Sequence, residues 1–188
     1  MVIMEKGLLR LMKEAYKAGG YNVMVDTVDG EEYLCVQYWG WMAGIQLVNV
    51  PRKVLGLLAE HMGRLPVWGE AFKVQKNSVQ KEIFDVADDP FRDLLQCIGH
   101  WEHHKIIKQT KLEWAGDQMW QCPKDQSIAM VDPERAALAA FCGGNDVRLE
   151  GINLMIKGSH SFAAIQKAHV LEGDKPLLEP LTNVKWVE

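Results

Sequence analysis

The sequence predicts an α+β fold with mainly antiparallel strands, arranged as two similar halves of about 80 residues behind an N-terminal helix. Three observations predict it. Apolar residues switch between helical and strand periods along the chain. A hairpin signal, Asp29-Gly30, sits between two strand-like runs. The order of elements around Pro51 then recurs around Pro133.

The first helix is expected over residues 3–18, where Met4, Leu8, Leu11, Met12 and Ala15 share one face and Gly19-Gly20 ends the run. Strands at 21–25 and 33–36 flank Asp29-Gly30, a dipeptide that tolerates the positive φ angles of a tight hairpin turn. A third strand is expected over 45–50. Pro51 then opens a helix through Val54, Leu55, Leu58 and Met62 to Gly63. Residues 66–75 read as one strand.

The second half begins with a helix near Asp89-Pro90, carrying Phe91, Leu94, Leu95, Ile98 and Trp101 on one face. Strands follow at 105–114, 118–122 and 127–131. Asp132-Pro133-Glu134 combines a capping side chain, a proline suited to the first turn and an acid near the positive helix end. That helix ends at Gly143-Gly144. A strand over 147–157 and a helix over 159–168 complete the half, and the tail after Gly173 reads as irregular.

At an offset of 82, Pro51 falls on Pro133, Lys53 on Arg135, Gly69 on Gly151, Val74 on Ile156 and Ile83 on Ile165. A degenerate tandem repeat of the order strand-strand-strand-helix-strand-helix is the resulting expectation. Residues 1–88 form one half and 89–188 the other, in two domains or in one compact unit.

Composition narrows the function classes. The chain has 188 residues, 48% of them hydrophobic and 24% charged, which excludes bulk disorder. Its formal net charge of -4 does not favour a nucleic-acid partner, though a local basic patch remains compatible with it. No apolar run reaches membrane-spanning length. Charges interrupt the apolar N-terminus at helical spacing, so neither a signal peptide nor a membrane partner is expected. Four cysteines without a C-x-x-C pair predict reduced thiols and a cytoplasmic setting.

No phosphate loop, dinucleotide fingerprint, nucleophile elbow or zinc-protease motif is present. The reading that follows is a non-catalytic protein that binds another macromolecule, most simply a protein. An adaptor or inhibitor suits it, including one carried by a phage or other mobile element. No cofactor is expected.

Its expected anchor is the segment Tyr38-Trp39-Gly40-Trp41-Met42, where the first half carries four residues more than the second. Large aromatics at a loop tip bring contact area at low entropic cost.

Two alternatives come from other classes. Asp93, Cys97, His100 and His104 share a face if a helix runs through them. His100, Glu102 and His104 share one if the segment is a strand. Either set could hold a metal for hydrolysis, although no metal residue is assigned. Lys105, Lys108 and Lys111, with Arg52 and Lys53, interleave with Trp101, Trp114 and Trp120. They could line a groove for single-stranded nucleic acid.

Overall fold

A computed structural model describes residues 5–28, 30–82, 100–143 and 146–168. The chain is α+β with mostly antiparallel sheet. Helix α1 spans Glu5–Ala18, and its buried residues Leu8, Leu11, Met12 and Ala15 are those the periodicity selects. Strands β1 (Tyr21–Val28) and β2 (Glu31–Tyr38) pair in the expected hairpin, with Val25 opposite Leu34. Helix α2 (Arg52–Met62) follows Pro51 and is capped by Gly63. Helix α3 (Pro133–Cys142) starts as its sequence dictates. The Asp132 carboxylate accepts the Glu134 backbone N–H at 2.8 Å, and Pro133 lies in the first turn.

The other strands are β3 (Trp41–Gln46), β4 (Ala71–Gln75), β5 (Ser78–Glu82), β6 (Lys105–Ile106), β7 (Lys108–Trp114) and β8 (Asp117–Gln121). They are followed by β9 (Ile128–Val131), β10 (Asp146–Glu150), β11 (Asn153–Lys157) and β12 (Ser161–Gln166). Among the described residues, nine form one sheet in the order β5-β4-β1-β2-β3-β12-β11-β10-β6, while β7-β8-β9 form a second.

The three helices of the described residues contribute to one core. Leu8, Val54, Leu58 and Leu138 cluster with Val23, Val36, Leu154 and Ile165 from the large sheet. Its opposite face buries a smaller set, including Met24, Cys35, Met42, Met155 and Phe162. Removing one such aliphatic side chain from water is worth about 1.5–3 kcal/mol. Within the large sheet, β1–β5 join the later strands where β3 pairs with β12, and there Gly44 faces Phe162. A Cβ on Gly44 would overlap the Phe162 ring, so only glycine lets that ring lie across the strand.

Several expectations need correction. The third strand is Trp41–Gln46, not 45–50, and Leu47–Asn49 form a 3-10 turn. Residues 66–70 are loop, because Pro66 and Gly69 interrupt the run, and Asn77 turns the chain from β4 into β5. The strand expected over 147–157 is a hairpin, β10–β11, with Gly151 at φ +55° in its turn. The helix expected over 159–168 is strand β12, paired on both sides. Among the described residues, β1–β3 lie in the large sheet, whereas β7–β9 form a separate one. The helix at Asp89 and the tail after Gly173 lie outside the described residues. No helix of the described residues is long and apolar enough to cross a membrane.

Candidate functional site

The segment with two tryptophans is a two-residue turn between β2 and β3. Tyr38 and Trp41 are the last cross-strand pair, leaving Trp39 and Gly40 as the tip. Strand alternation then decides each side chain. Trp41 points into the helix-covered core and is 4% exposed, while Met42 takes the opposite face and is fully buried. Tyr38 is half-buried against the same core as Trp41. Trp39, outside the pairing, is 80% exposed. The expected binding set is therefore one open indole above three packed side chains.

The turn is held firmly. Gly40 has φ +81°, and its carbonyl accepts the Gln166 backbone N–H at 2.9 Å. The Arg135 guanidinium occupies the space a Cβ on Gly40 would need. Arg135 comes from the first turn of α3, with Nε 3.7 Å from the Asp132 carboxylate. Beside Trp39 opens a recess of about 390 Å³, lined by Gly19, Gly20, Asn22, Gln37 and Lys73. The Asn22 side-chain amide donates to Gln37 at 3.0 Å.

From His100 on, the histidine segment is neither the helix nor the strand considered for it. Trp101–His103 form a 3-10 turn before β6. Trp101 is buried and donates its indole N–H to Asp146 at 2.6 Å. The Arg148 guanidinium lies 5.7 Å from the Trp101 ring centre. It donates to Asp146 at 2.8 Å and to Glu102 at 3.4 Å. Arg148 above all, with burial opposing, holds the Asp146 carboxyl below its usual range. His104 Nδ1 lies 2.8 Å from Glu150. His100 is exposed. The Glu102 side chain thus reaches Arg148 and the His104 ring reaches Glu150, while Arg148 also donates to the His104 carbonyl at 3.2 Å. Among the described residues, no three His, Cys, Asp or Glu side chains converge as a metal site. Asp93 and Cys97 lie outside the described residues.

Of the lysine group, Lys105 pairs with Asp125 at 2.6 Å, while Lys108 and Lys111 are exposed on β7. Trp101 and Trp120 are buried, so Trp114, 36% exposed, is the member of that trio open to a base. Arg52 and Lys53 stand at the start of α2, and Lys53 pairs with Glu5.

A cleft of about 460 Å³ lies at the far end of the sheet, between Pro51, Phe141, Cys142 and the turn Ser159–Ser161. That turn leads into a strand rather than capping a helix. His160 Nδ1 lies 2.8 Å from the Gln46 side chain, which also accepts from Asn49. Cys142 is a buried cysteine without a disulfide. Burial pushes its thiol up to about 12, and it sits at the negative end of α3.

Sequence reasoning missed a second open indole, Trp68, 63% exposed in the loop before β4. Pro66 and Gly69 were the signals that this stretch is not a strand. Comparison with protein-family models, curated sequences and solved structures finds no match to this chain.

Proposed function

We propose that this protein is a non-catalytic binding protein that docks a protein partner through the Trp39 turn. One observation carries the reading: an indole 80% exposed on a turn whose backbone is already fixed by Gly40, Arg135 and Gln166. Tryptophan is enriched at interface hot spots, and a pre-ordered turn reduces the entropy lost on binding. Trp41 and Met42 serve as the packed base of the anchor, Tyr38 as its edge. An adaptor or an inhibitor, including one from a phage or other mobile element, fits this role.

Two further elements belong to the proposal. A reducing, cytoplasmic setting agrees with the buried Cys122 and Cys142, which form no disulfide. A degenerate duplication agrees with the recurrence of meander, helix and hairpin. At the offset of 82, β4 falls on β11 and Pro51 on Pro133. No observation favours the hydrolytic or nucleic-acid alternatives over this one.

The test compares wild type, Trp39→Ala and Trp68→Ala as baits in a host lysate, with their melting temperatures measured alongside. The expected result is a protein retained by wild type and by Trp68→Ala but weakened about tenfold or more by Trp39→Ala, with melting unchanged within a few degrees. Equal retention by Trp39→Ala rejects the reading.

A further inference from the structure

The loop between α2 and β4 exposes three apolar side chains within four residues: Leu65 at 40%, Val67 at 59% and Trp68 at 63%. Single exposed apolar residues are ordinary, but a contiguous group containing tryptophan is the composition of an interface. This group is also locked in place.

The Glu70 carboxylate accepts from Arg64 through two N–H groups, at 2.7 and 2.9 Å, and from the Val67 backbone N–H at 3.2 Å. The Glu70 backbone N–H donates to the Val67 carbonyl at 3.0 Å. Gly69 donates to the Val25 carbonyl at 3.0 Å, and Val25 donates to the Glu70 carbonyl at 3.2 Å, tying the loop to β1. The Trp68 indole N–H donates to the Thr27 hydroxyl at 2.9 Å. The Arg64 guanidinium also lies 4.8 Å from the Phe72 ring centre. The loop's polar groups are spent on its shape, and its outward surface is left apolar.

Charge identifies what that surface suits. Arg64, the loop's cation, is paired with Glu70. The adjoining strands carry Asp26, Glu31 and Glu32, and no Lys or Arg occurs from residue 26 to 32. Glu32 stands directly opposite Thr27, the residue that holds Trp68. Glu32 is exposed and has no ion-pair partner among the described residues, and the exposed Glu31, opposite Val28 on the other face of the same strand, adds to the negative charge of the hairpin. A rigid apolar patch beside uncompensated carboxylates repels phosphate backbones and anionic lipid, and it attracts cations.

We propose that Leu65, Val67 and Trp68, with Glu32, form a second docking surface whose occupant is a basic segment of a partner protein. The segment carries an aliphatic or aromatic anchor for the patch and Lys or Arg for the hairpin. This surface is independent of the Trp39 turn.

A displayed library of random 12-residue peptides, panned on the whole chain, tests it. Enriched peptides are expected to be net positive and to contain Leu, Phe or Trp. Their binding should weaken about tenfold in Trp68→Ala and several-fold in Glu32→Gln, and it should fall with added salt. Trp39→Ala should leave it unchanged, which separates this surface from the Trp39 reading. Val67→Ser changes the patch without touching a side-chain hydrogen bond, and serves if Trp68→Ala fails to fold. The proposal is overturned by three outcomes: no enrichment, neutral or acidic winners, or winners that bind Trp68→Ala and Val67→Ser as tightly as wild type. It is also overturned if sedimentation shows a dimer that Val67→Ser dissociates, because the occupant is then a second copy of this chain.

Discussion

Trp39 and Trp68 are both mostly exposed indoles beside strand β1, and they are presented by opposite means. Trp39 lies near Asn22 at one end of the strand and Trp68 touches Thr27 at the other, roughly 17 Å apart at ~3.4 Å per residue. At the Trp39 turn the backbone is fixed and the ring is free, since its indole makes no hydrogen bond among the described residues. At the Trp68 loop the ring itself is fixed, because its N–H is held by Thr27 and its backbone by Glu70 and Val25. The free ring can adjust to a contour, whereas the fixed ring demands one. The first suits a tolerant anchor and the second a selective one.

The largest expected effect separates the two aromatics of the Trp39 turn. Trp41→Ala should cost about 3–5 kcal/mol in denaturant unfolding, because it empties a packed site. Trp39→Ala should change stability by no more than about 0.5 kcal/mol. If the two cost the same, the division into open and packed rings is wrong.

A smaller effect should confine itself to the other region. Glu70→Gln removes the charge that holds Arg64 in two bonds. Hydrogen exchange of the Val67 and Gly69 amides should accelerate about tenfold or more, while the Gly40–Trp41 amides keep their rates. Acceleration at both places would mean that one cooperative unit, not two, carries the indoles.

The smallest effect concerns the side chain between the regions. His61, in the last turn of α2 leading to the Trp68 loop, stacks on Tyr16 with ring centres 3.7 Å apart. Its Nδ1 lies 3.0 Å from the hydroxyl of Tyr21, which lines the recess beside Trp39. Burial, opposed by Glu60 and assisted by Lys13, lowers the His61 pKa, and burial likewise raises that of Tyr21. Below about pH 6.5 the unfolded chain therefore binds the His61 proton more readily than the folded one. Stability should fall as pH drops from there towards the folded value, and level off below it. His61→Gln should flatten that slope, and an unaltered slope would assign it to other groups.

The helices were the most legible elements. Their apolar spacing and the Asp132-Pro133 start specify local structure without help from the rest of the chain. Elements defined by distant partners were not. Phe162-Ala163-Ala164-Ile165 has no local bar to a helix, yet the slot between β3 and β11 makes it a strand. The same holds for the site. Four neighbouring residues, Tyr38, Trp39, Trp41 and Met42, look equivalent as a cluster. Only the register with β2 and β12 reveals that one of them faces outward. Trp68 was hidden by alternation that resembles a strand, although Pro66 and Gly69 argued otherwise.

The seam between β3 and β12 also sets a schedule. β3 is one of the most apolar strands of the sheet, and its outer partner lies some 115 residues later in the chain. During synthesis, the meander β1–β3 emerges long before Phe162 does. Until then β3 is an open edge, and an open apolar edge recruits other strands. A nascent chain stalled in its middle third would be sticky at that edge, so the protein's yield in a cell depends on how quickly its last third arrives.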